Sequence, residues 1–307
     1  NEVLNLYQIP LGDIGLYILS QLLLEKDQFS SVKEINLSHC YTLVDEDDDD
    51  DHDTITTAHS KRYSHQLMDQ PYGFLHFFQH TLCTSPHLSS LTCINLSHNH
   101  LTKTYINYLA VYLKSDQAHA LTCLNLSHNY LGTHDTINIA DKNTISLGLG
   151  DVTHIEKHHQ AINNCPALTL LVSAILQHGT LTELYLDHNY IDNLGCYVLL
   201  PLLSCLQRLH LQHNKMQQDS LFQMAQYIQQ CKEPVTLTYL NIAYNDVNFL
   251  GDNGDFNNFL QWCVMIEKHT FLQAINLSGY IFTIEHMKAL LLIIPQLHQL
   301  VLQSSSI

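Results

Sequence analysis

The chain has 307 residues, with 29 acidic and 13 basic side chains and a formal net charge of −16 at pH 7. A surface with this charge repels a phosphate backbone, which argues against nucleic acid as the partner. No apolar run reaches the roughly 18 residues that indicate a membrane span, so none is expected.

One pattern, L-x-x-L-x-L-x-x-N-x-L, recurs along the chain, and we number its positions from 1 to 11. The clearest copy starts at Leu121, and equivalent copies start at Leu91, Leu181, Leu206 and Leu237. Weaker copies start at Val32, Leu272 and Leu297, with Cys40, Tyr280 and Ser305 in the asparagine slot. An opening copy contains Leu4, Leu6, Ile9 and Leu11.

The two central leucines of a copy, such as Leu124 and Leu126, are two residues apart and therefore share one face of a strand. Cys123 and Asn125 point to the opposite face. A unit this small cannot bury its apolar side alone, so neighbouring units are expected to stack into one parallel sheet.

In chain order, residues 1–31 form a predicted first repeat with a helix over 16–24, and a strand follows at 34–37. An insertion over 44–70 carries the acidic run 45–53 and is predicted to be a disordered or loosely held loop. A helix is predicted to resume at Pro71, because proline suits the first helical position. Its apolar face is predicted to contain Phe74, Leu75, Phe78 and Leu82.

A second long spacing separates Leu121 from Leu181. An irregular or degenerate repeat is predicted within 132–180, with Leu147 and Leu149 as its inward pair, followed by a helix over 167–178. Later helices are predicted over 220–230 and 256–267. The chain, 1–307, is thus predicted to be a single domain of about nine to ten repeats.

These strand-and-helix repeats resemble the ribonuclease-inhibitor-like class of leucine-rich repeat proteins. The resemblance implies an α/β leucine-rich repeat solenoid, with a curved parallel β-sheet on the concave side and helices on the convex side. It also implies that the recurring asparagine, such as Asn129, bonds backbone groups of its own turn and of the neighbouring turn. Losing such a buried amide costs about 1–3 kcal/mol.

The Asn- and His-rich, Arg-poor repeats also look like those of effectors that Legionella and related intracellular bacteria inject into host cells. That resemblance implies delivery to the host cytoplasm by a specialised secretion system and binding of a host protein; without it, a cytoplasmic location is expected. The nine cysteines are scattered and lack C-x-x-C pairs, so we interpret them as reduced thiols in a cytosol-like compartment. Two of them, Cys93 and Cys123, occupy equivalent concave positions on successive strands.

Positions 3, 5, 7 and 8 are expected to carry the variable side chains of the concave surface. In the middle repeats these positions combine aromatic and charged groups, and Tyr and Arg are enriched in binding hot spots. The alternative is sequence drift on a solvated face. The predicted partner-binding residues are Glu183, Tyr185, Asp187, Arg208, His210 and Tyr239.

Position 8 is histidine in five copies: His39, His98, His128, His188 and His213. Stacked imidazoles suggest an alternative function, a metal- or pH-responsive binding protein, because an unperturbed imidazole has a pKa of about 6.5. Zinc requires ligands that converge tetrahedrally, whereas strand spacing gives a row. Metal binding, for which His188 and His213 are the candidates, is therefore not expected, and repeat duplication is the simpler explanation.

The sequence contains no phosphate-binding loop, nucleophile elbow or Ser/His/Asp set. We therefore expect no enzymatic activity and no cofactor. The predicted function is a non-catalytic protein–protein interaction module, namely a bacterial effector that binds a host protein through its concave sheet.

Overall fold

The structure, a computed structural model, describes residues 2–25, 29–40, 72–132, 164–231, 234–248, 253–268 and 272–303. Within these ranges nine three-residue strands form one parallel sheet in chain order. They are β1 Val3–Asn5, β2 Glu34–Asn36, β3 Cys93–Asn95, β4 Cys123–Asn125, β5 Glu183–Tyr185, β6 Arg208–His210, β7 Tyr239–Asn241, β8 Ala274–Asn276 and β9 Gln299–Val301.

Helical segments follow the strands in the described repeats. They are α1 Gly12–Glu25, α2 Tyr72–Leu75, a π-helical segment His76–Leu82, α3 Lys103–Leu113, α4 Pro166–His178, α5 Asn193–Leu199, α6 Gln218–Gln230, α7 Asn253–Lys268 and α8 Ile284–Leu290. A helix is about 10 Å wide and strands are about 4.8 Å apart, so stacking the two layers curves the sheet to the inside.

This architecture confirms the predicted α/β leucine-rich repeat solenoid. The predicted element positions agree to within a few residues: the helix predicted over 16–24 extends over Gly12–Glu25, and the strand predicted at 34–37 is Glu34–Asn36. The predicted apolar face after Pro71 is also present, with Phe74, Phe78 and Leu82 buried.

Two predicted segments lie outside the described residues, namely the acidic insertion 44–70 and the degenerate repeat proposed around 144–152. The strands on either side of each segment are direct neighbours in the sheet. Glu34 of β2 lies opposite Cys93 of β3, and Cys123 of β4 lies opposite Glu183 of β5. The sheet is therefore continuous across both long sequence spacings.

The core follows from the motif, because its leucine positions are buried in repeat after repeat. In the repeat that starts at Leu121, the side chains of Leu121, Leu124, Leu126 and Leu131 are all 0% exposed. Burying one leucine side chain contributes about 1.5–3 kcal/mol. Stacking therefore supplies the apolar burial that a single repeat lacks.

The asparagine slot forms a ladder that links each repeat to the preceding one. The Nδ2 of Asn129 donates to the carbonyl of Leu96, and its Oδ1 accepts from the backbone N–H groups of Asn99 and Leu101 at 3.2 and 2.9 Å. This is the role that the resemblance implies for Asn129.

Two of the three weaker copies have a described residue in the asparagine slot, and they keep this link with other donors. The Sγ of Cys40 donates to the carbonyl of Leu6 at 2.9 Å, and the hydroxyl of Tyr280 donates to the carbonyl of Ile242. Both carbonyls belong to position 6 of the preceding repeat, as in the asparagine copies. Cys40 and Tyr280 thus replace the asparagine as donor.

The residue at position 8 has a positive φ in every described copy. This angle is 84° at Gly279 and lies between 52° and 59° in the other copies. Left-handed backbone costs most non-glycine residues about 1 kcal/mol or more. Histidine is enriched several-fold among the residues that tolerate it. The turn geometry therefore gives a physical reason for histidine at this position.

Candidate protein-binding site

In-register parallel pairing brings the predicted site residues together. Glu183, Arg208 and Tyr239 lie opposite one another on β5, β6 and β7, and Tyr185 lies opposite His210 two residues further on. Residues at the same motif position thus become neighbours although about 25–31 sequence positions separate them. These five side chains are called the Glu183 cluster below.

Hydrogen bonds to one carboxylate oxygen hold the cluster together. The Oε1 atom of Glu183 accepts from the hydroxyl of Tyr185 at 2.8 Å and from the Nε of Arg208 at 2.7 Å. The Nε2 of His210 lies 3.5 Å from the same oxygen, which is too long for a strong hydrogen bond. Glu183 therefore orients both the tyrosine and the arginine.

Ring stacking fixes the remaining side chains. The His210 ring lies between Tyr185, at a centroid distance of 4.0 Å, and Tyr239, at 4.9 Å. The guanidinium carbon of Arg208 is 4.4 Å from the centroid of the Tyr239 ring, in a cation–π contact. The cluster is consequently an ordered surface of aromatic rings around one ion pair.

The charge state of the cluster at neutral pH follows from its contacts. Burial opposes ionisation of Glu183, but the hydrogen bonds from Tyr185 and Arg208 outweigh it and lower the pKa of the carboxyl. Burial lowers the pKa of His210 to about 4, despite the opposing charge of Glu183. The cluster therefore contains an ionised Glu183–Arg208 pair and a neutral imidazole at pH 7.

The structure does not place the sixth predicted residue, Asp187, in the cluster. Its Oδ1 accepts the backbone N–H of Gln212 at 2.7 Å, and its Oδ2 lies 3.4 Å from the hydroxyl of Ser127. Burial raises the pKa of Asp187 to about 6. Its carboxylate thus supports the turn after β6.

The five position-8 histidines, here called the histidine column, stack face to face along the ends of the strands. The successive centroid distances from His39 to His213 are 3.9, 3.7, 3.9 and 4.3 Å. Tyr244 continues the stack at 4.6 Å, and the Tyr7 ring meets His39 edge-on at 5.6 Å. The row expected from the sequence is therefore a continuous stack.

Burial and mutual repulsion keep most of the column neutral at pH 7. Burial is the main cause that lowers the pKa values of His98, His188 and His213. It lowers the pKa of His128, the middle ring of the column, to about 4. Parallel rings direct their lone pairs side by side and not towards one point, and the described residues contain no group of three or more metal-binding side chains.

Beside the column runs a groove that the sequence reasoning missed. Position 10 contributes a second row, His100, Tyr130 and Tyr190, with centroid distances of 5.1 and 5.8 Å. The groove has a volume of about 520 Å³, and Lys215 and Asp246 also line it. The aromatic residues at motif position 10 were the sequence signal for it.

A second groove lies on the helical side and has a volume of about 590 Å³. The repeat that starts at Leu181 is shorter than its neighbours, and its helix α5 has 7 residues, whereas α4 and α6 have 13 each. The gap left between the longer helices is lined by Val172, Leu176, Tyr197, Val198, Pro201 and Tyr227, among others. In the sequence, the short spacing between the repeats that start at Leu181 and Leu206 was the signal for this groove.

None of the helices in the described ranges is long and apolar enough to cross a membrane.

No protein-family model matches the sequence, and no curated protein matches it. Among solved structures, leiomodin-1 actin-binding site 2 is similar at 13% identity and a TM-score of 0.33, over 48% of this chain and 91% of that one. The TLR13–ssRNA13 complex is similar at 14% identity and a TM-score of 0.34, over 91% of this chain and 34% of that one. The fold assignment itself rests on the sheet and repeats described above.

Proposed function

We propose that this protein is a non-catalytic binding module that takes a protein partner on its concave sheet, at the Glu183 cluster. The observation that carries the proposal is the ordered arrangement of Tyr185, Arg208 and Tyr239 on three adjacent strands. Binding usually costs about 0.5–1.5 kcal/mol for each flexible side chain that becomes fixed. Side chains already held by hydrogen bonds and stacking largely avoid that cost.

Arg208 is the most accessible charged group of the cluster, with 46% of its side chain exposed. It bonds Glu183 through Nε, and the part of the chain that the structure describes shows no other hydrogen bond of its guanidinium. A partner carboxylate or backbone carbonyl is the matching acceptor. The large acidic excess of the whole chain favours protein over nucleic acid as the partner.

The proposal also has a more specific form, in which the partner is a host protein and this chain is an effector of a bacterium such as Legionella. This form rests on the Asn- and His-rich, Arg-poor composition of the repeats. An affinity capture from host-cell lysate, read by mass spectrometry, tests both forms together.

The test compares wild type with Arg208→Ala and Tyr185→Phe. Tyr185→Phe is preferred to an alanine substitution because it removes the hydroxyl but keeps the stack on His210. Lys33→Ala is the matched control, since it removes one exposed basic group that is paired with Glu2 at the other end of the sheet.

A protein captured by wild type and by Lys33→Ala is expected to bind Arg208→Ala at least about 30-fold more weakly, the loss typical of a hot spot. Equal affinity for all four proteins would remove the cluster as the binding site. Circular dichroism shows whether each variant retains the fold.

The alternative function, a response to pH or metal, is favoured by one observation, the uninterrupted stack of the histidine column. The test adds Zn²⁺ to wild type and to a His188→Ala/His213→Ala double variant and measures the melting temperature. Metal sensing by the column predicts stabilisation of the wild type alone, and equal shifts contradict it.

A further inference from the structure

Two cysteine thiols face each other on the concave sheet, outside the Glu183 cluster. Cys93 of β3 lies directly opposite Cys123 of β4, and both are free, half-buried thiols. Neighbouring parallel strands are about 4.8 Å apart, which lies within the Cα separation that two linked cysteines need. The two side chains are close enough for each thiol to change the pKa of the other.

The two thiols differ in acidity. The neighbouring Cys123 thiol lowers the pKa of the Cys93 thiol, whereas the pKa of Cys123 is raised by Cys93 and by burial. A thiolate on Cys93 is thus stabilised by the neighbouring S–H group. The thiolate is the form of cysteine that binds metal ions.

Four other described cysteines differ from Cys93. Burial raises the pKa values of Cys165, Cys196 and Cys263 to about 12. Burial also raises the pKa of the half-buried Cys205 to about 11. Deprotonating any of these thiols therefore costs more than deprotonating Cys93.

We propose that Cys93 and Cys123 form a two-coordinate site for a soft monovalent metal ion of the Cu(I) class. Both thiols release their protons to solvent, and the two sulfur atoms bind one ion between the strands. Soft thiolate ligands select Cu(I). Zinc would need two further ligands that converge on the pair, and no group of three or more metal-binding side chains occurs in the described ranges.

The surroundings of the pair suit a cation. Glu34 of β2 and Glu183 of β5 lie at the same register position on the flanking strands. Both act on Cys93 as nearby negative charges. Their hard oxygen atoms are poor ligands for a soft ion, but their charge attracts it to the concave face. Glu183 also belongs to the Glu183 cluster, but the metal ligands are Cys93 and Cys123 alone, so the metal site does not rest on the proposed partner binding.

The test is an anaerobic titration of reduced protein with Cu(I), using bicinchoninate as a coloured competing ligand. Wild type is compared with Cys93→Ser, Cys123→Ser and the double variant Cys205→Ser/Cys231→Ser. The last is the matched control, because it removes two half-buried thiols and leaves the proposed pair intact.

Wild type and the control are expected to remove one Cu(I) ion per protein from bicinchoninate. Cys93→Ser and Cys123→Ser are each expected to bind Cu(I) about 10²- to 10⁴-fold more weakly, because chelation by two sulfur atoms is lost. If Cys93→Ser or Cys123→Ser competes as well as wild type, or if wild type withdraws no ion, the proposal is overturned.

A second measurement needs no variant. Phenylarsine oxide reacts with two adjacent thiols to form two As–S bonds and release one water molecule. Peptide mass spectrometry of the wild type is expected to place the bridging adduct on Cys93 and Cys123. An adduct on other cysteines only, or no bridging adduct, contradicts the proposed proximity of the two sulfur atoms.

Discussion

Replacing Asn214 by alanine tests how far the asparagine ladder holds the repeats together. Its Oδ1 accepts the backbone N–H groups of Asn189 and Ile191 at 2.8 and 3.0 Å. Its Nδ2 donates to the carbonyl groups of Leu186 and Leu211, both at 3.0 Å. Asn214 is only 3% exposed, so water does not replace these bonds without a local opening.

The expected loss of stability follows from the backbone groups that no longer have a hydrogen-bond partner. The carbonyl of Leu211 keeps a second donor, the Nδ2 of Asn245, at 2.9 Å. The N–H groups of Asn189 and Ile191 and the carbonyl of Leu186 lose the bond to Asn214. Each unsatisfied buried group costs about 1–3 kcal/mol, and relaxation recovers part of the sum. We therefore expect Asn214→Ala to destabilise the protein by about 3–5 kcal/mol.

Urea unfolding followed by circular dichroism measures this loss. The matched variant is Cys40→Asn, which places an amide donor where the Sγ of Cys40 now bonds the carbonyl of Leu6. It is expected to change the stability by less than about 1 kcal/mol. A loss below about 1 kcal/mol for Asn214→Ala would refute the bond-by-bond reasoning.

Three further substitutions test the charges and the turns. The pKa of His128 lies below its unfolded value, so the stability contribution of His128 is lost as pH falls from about 6.5 to about 4. His128→Gln should reduce that loss by about 1 kcal/mol after allowance for solvent screening, measured by urea unfolding at both pH values. Asp187 has a raised pKa, so its contribution to the stability of the fold is lost as pH rises from 3.8 to about 6. Asp187→Asn keeps an acceptor for the Gln212 N–H. It should raise the stability by about 1–3 kcal/mol at pH 7.5 but not at pH 3.5. Gly279→Ala should lower the melting temperature, because a Cβ would clash with a Tyr244 ring carbon and the backbone φ of Gly279 is +84°. A melting temperature equal to that of wild type would contradict this steric argument.

The sequence predicted the Glu183 cluster because a repeat converts motif position into spatial adjacency. Once the strands are parallel and in register, Glu183, Arg208 and Tyr239 at position 3 must be neighbours. The pairing of particular atoms did not follow from the pattern. The shared carboxylate oxygen and the imidazole between two tyrosine rings depend on side-chain rotamers, which motif spacing does not determine.

Position 7 shows a second limit of the pattern. It was expected to contribute to the concave surface, yet Ser38, Ser97 and Ser127 are buried there, and the Asp187 carboxylate bonds the backbone of the next turn. The chain leaves the strand after position 5, so alternation between the two faces no longer applies. The sequence showed Cys40 and Tyr280 in the asparagine slot, but only the structure shows that both donate to the same carbonyl position.

The solenoid gives a physical rule for separating architecture from recognition. Repeat geometry can explain why one residue type recurs at a motif position. Left-handed backbone and ring stacking explain the recurring histidines of the histidine column in this way. The Glu183 cluster departs from the repeat: Glu183 and Arg208 follow cysteines at position 3, and Tyr185 and His210 follow asparagines at position 5. Fold geometry does not demand these departures, and they form one connected network. Partner binding should therefore respond to Arg208→Ala, whereas a single substitution in the column should change stability first.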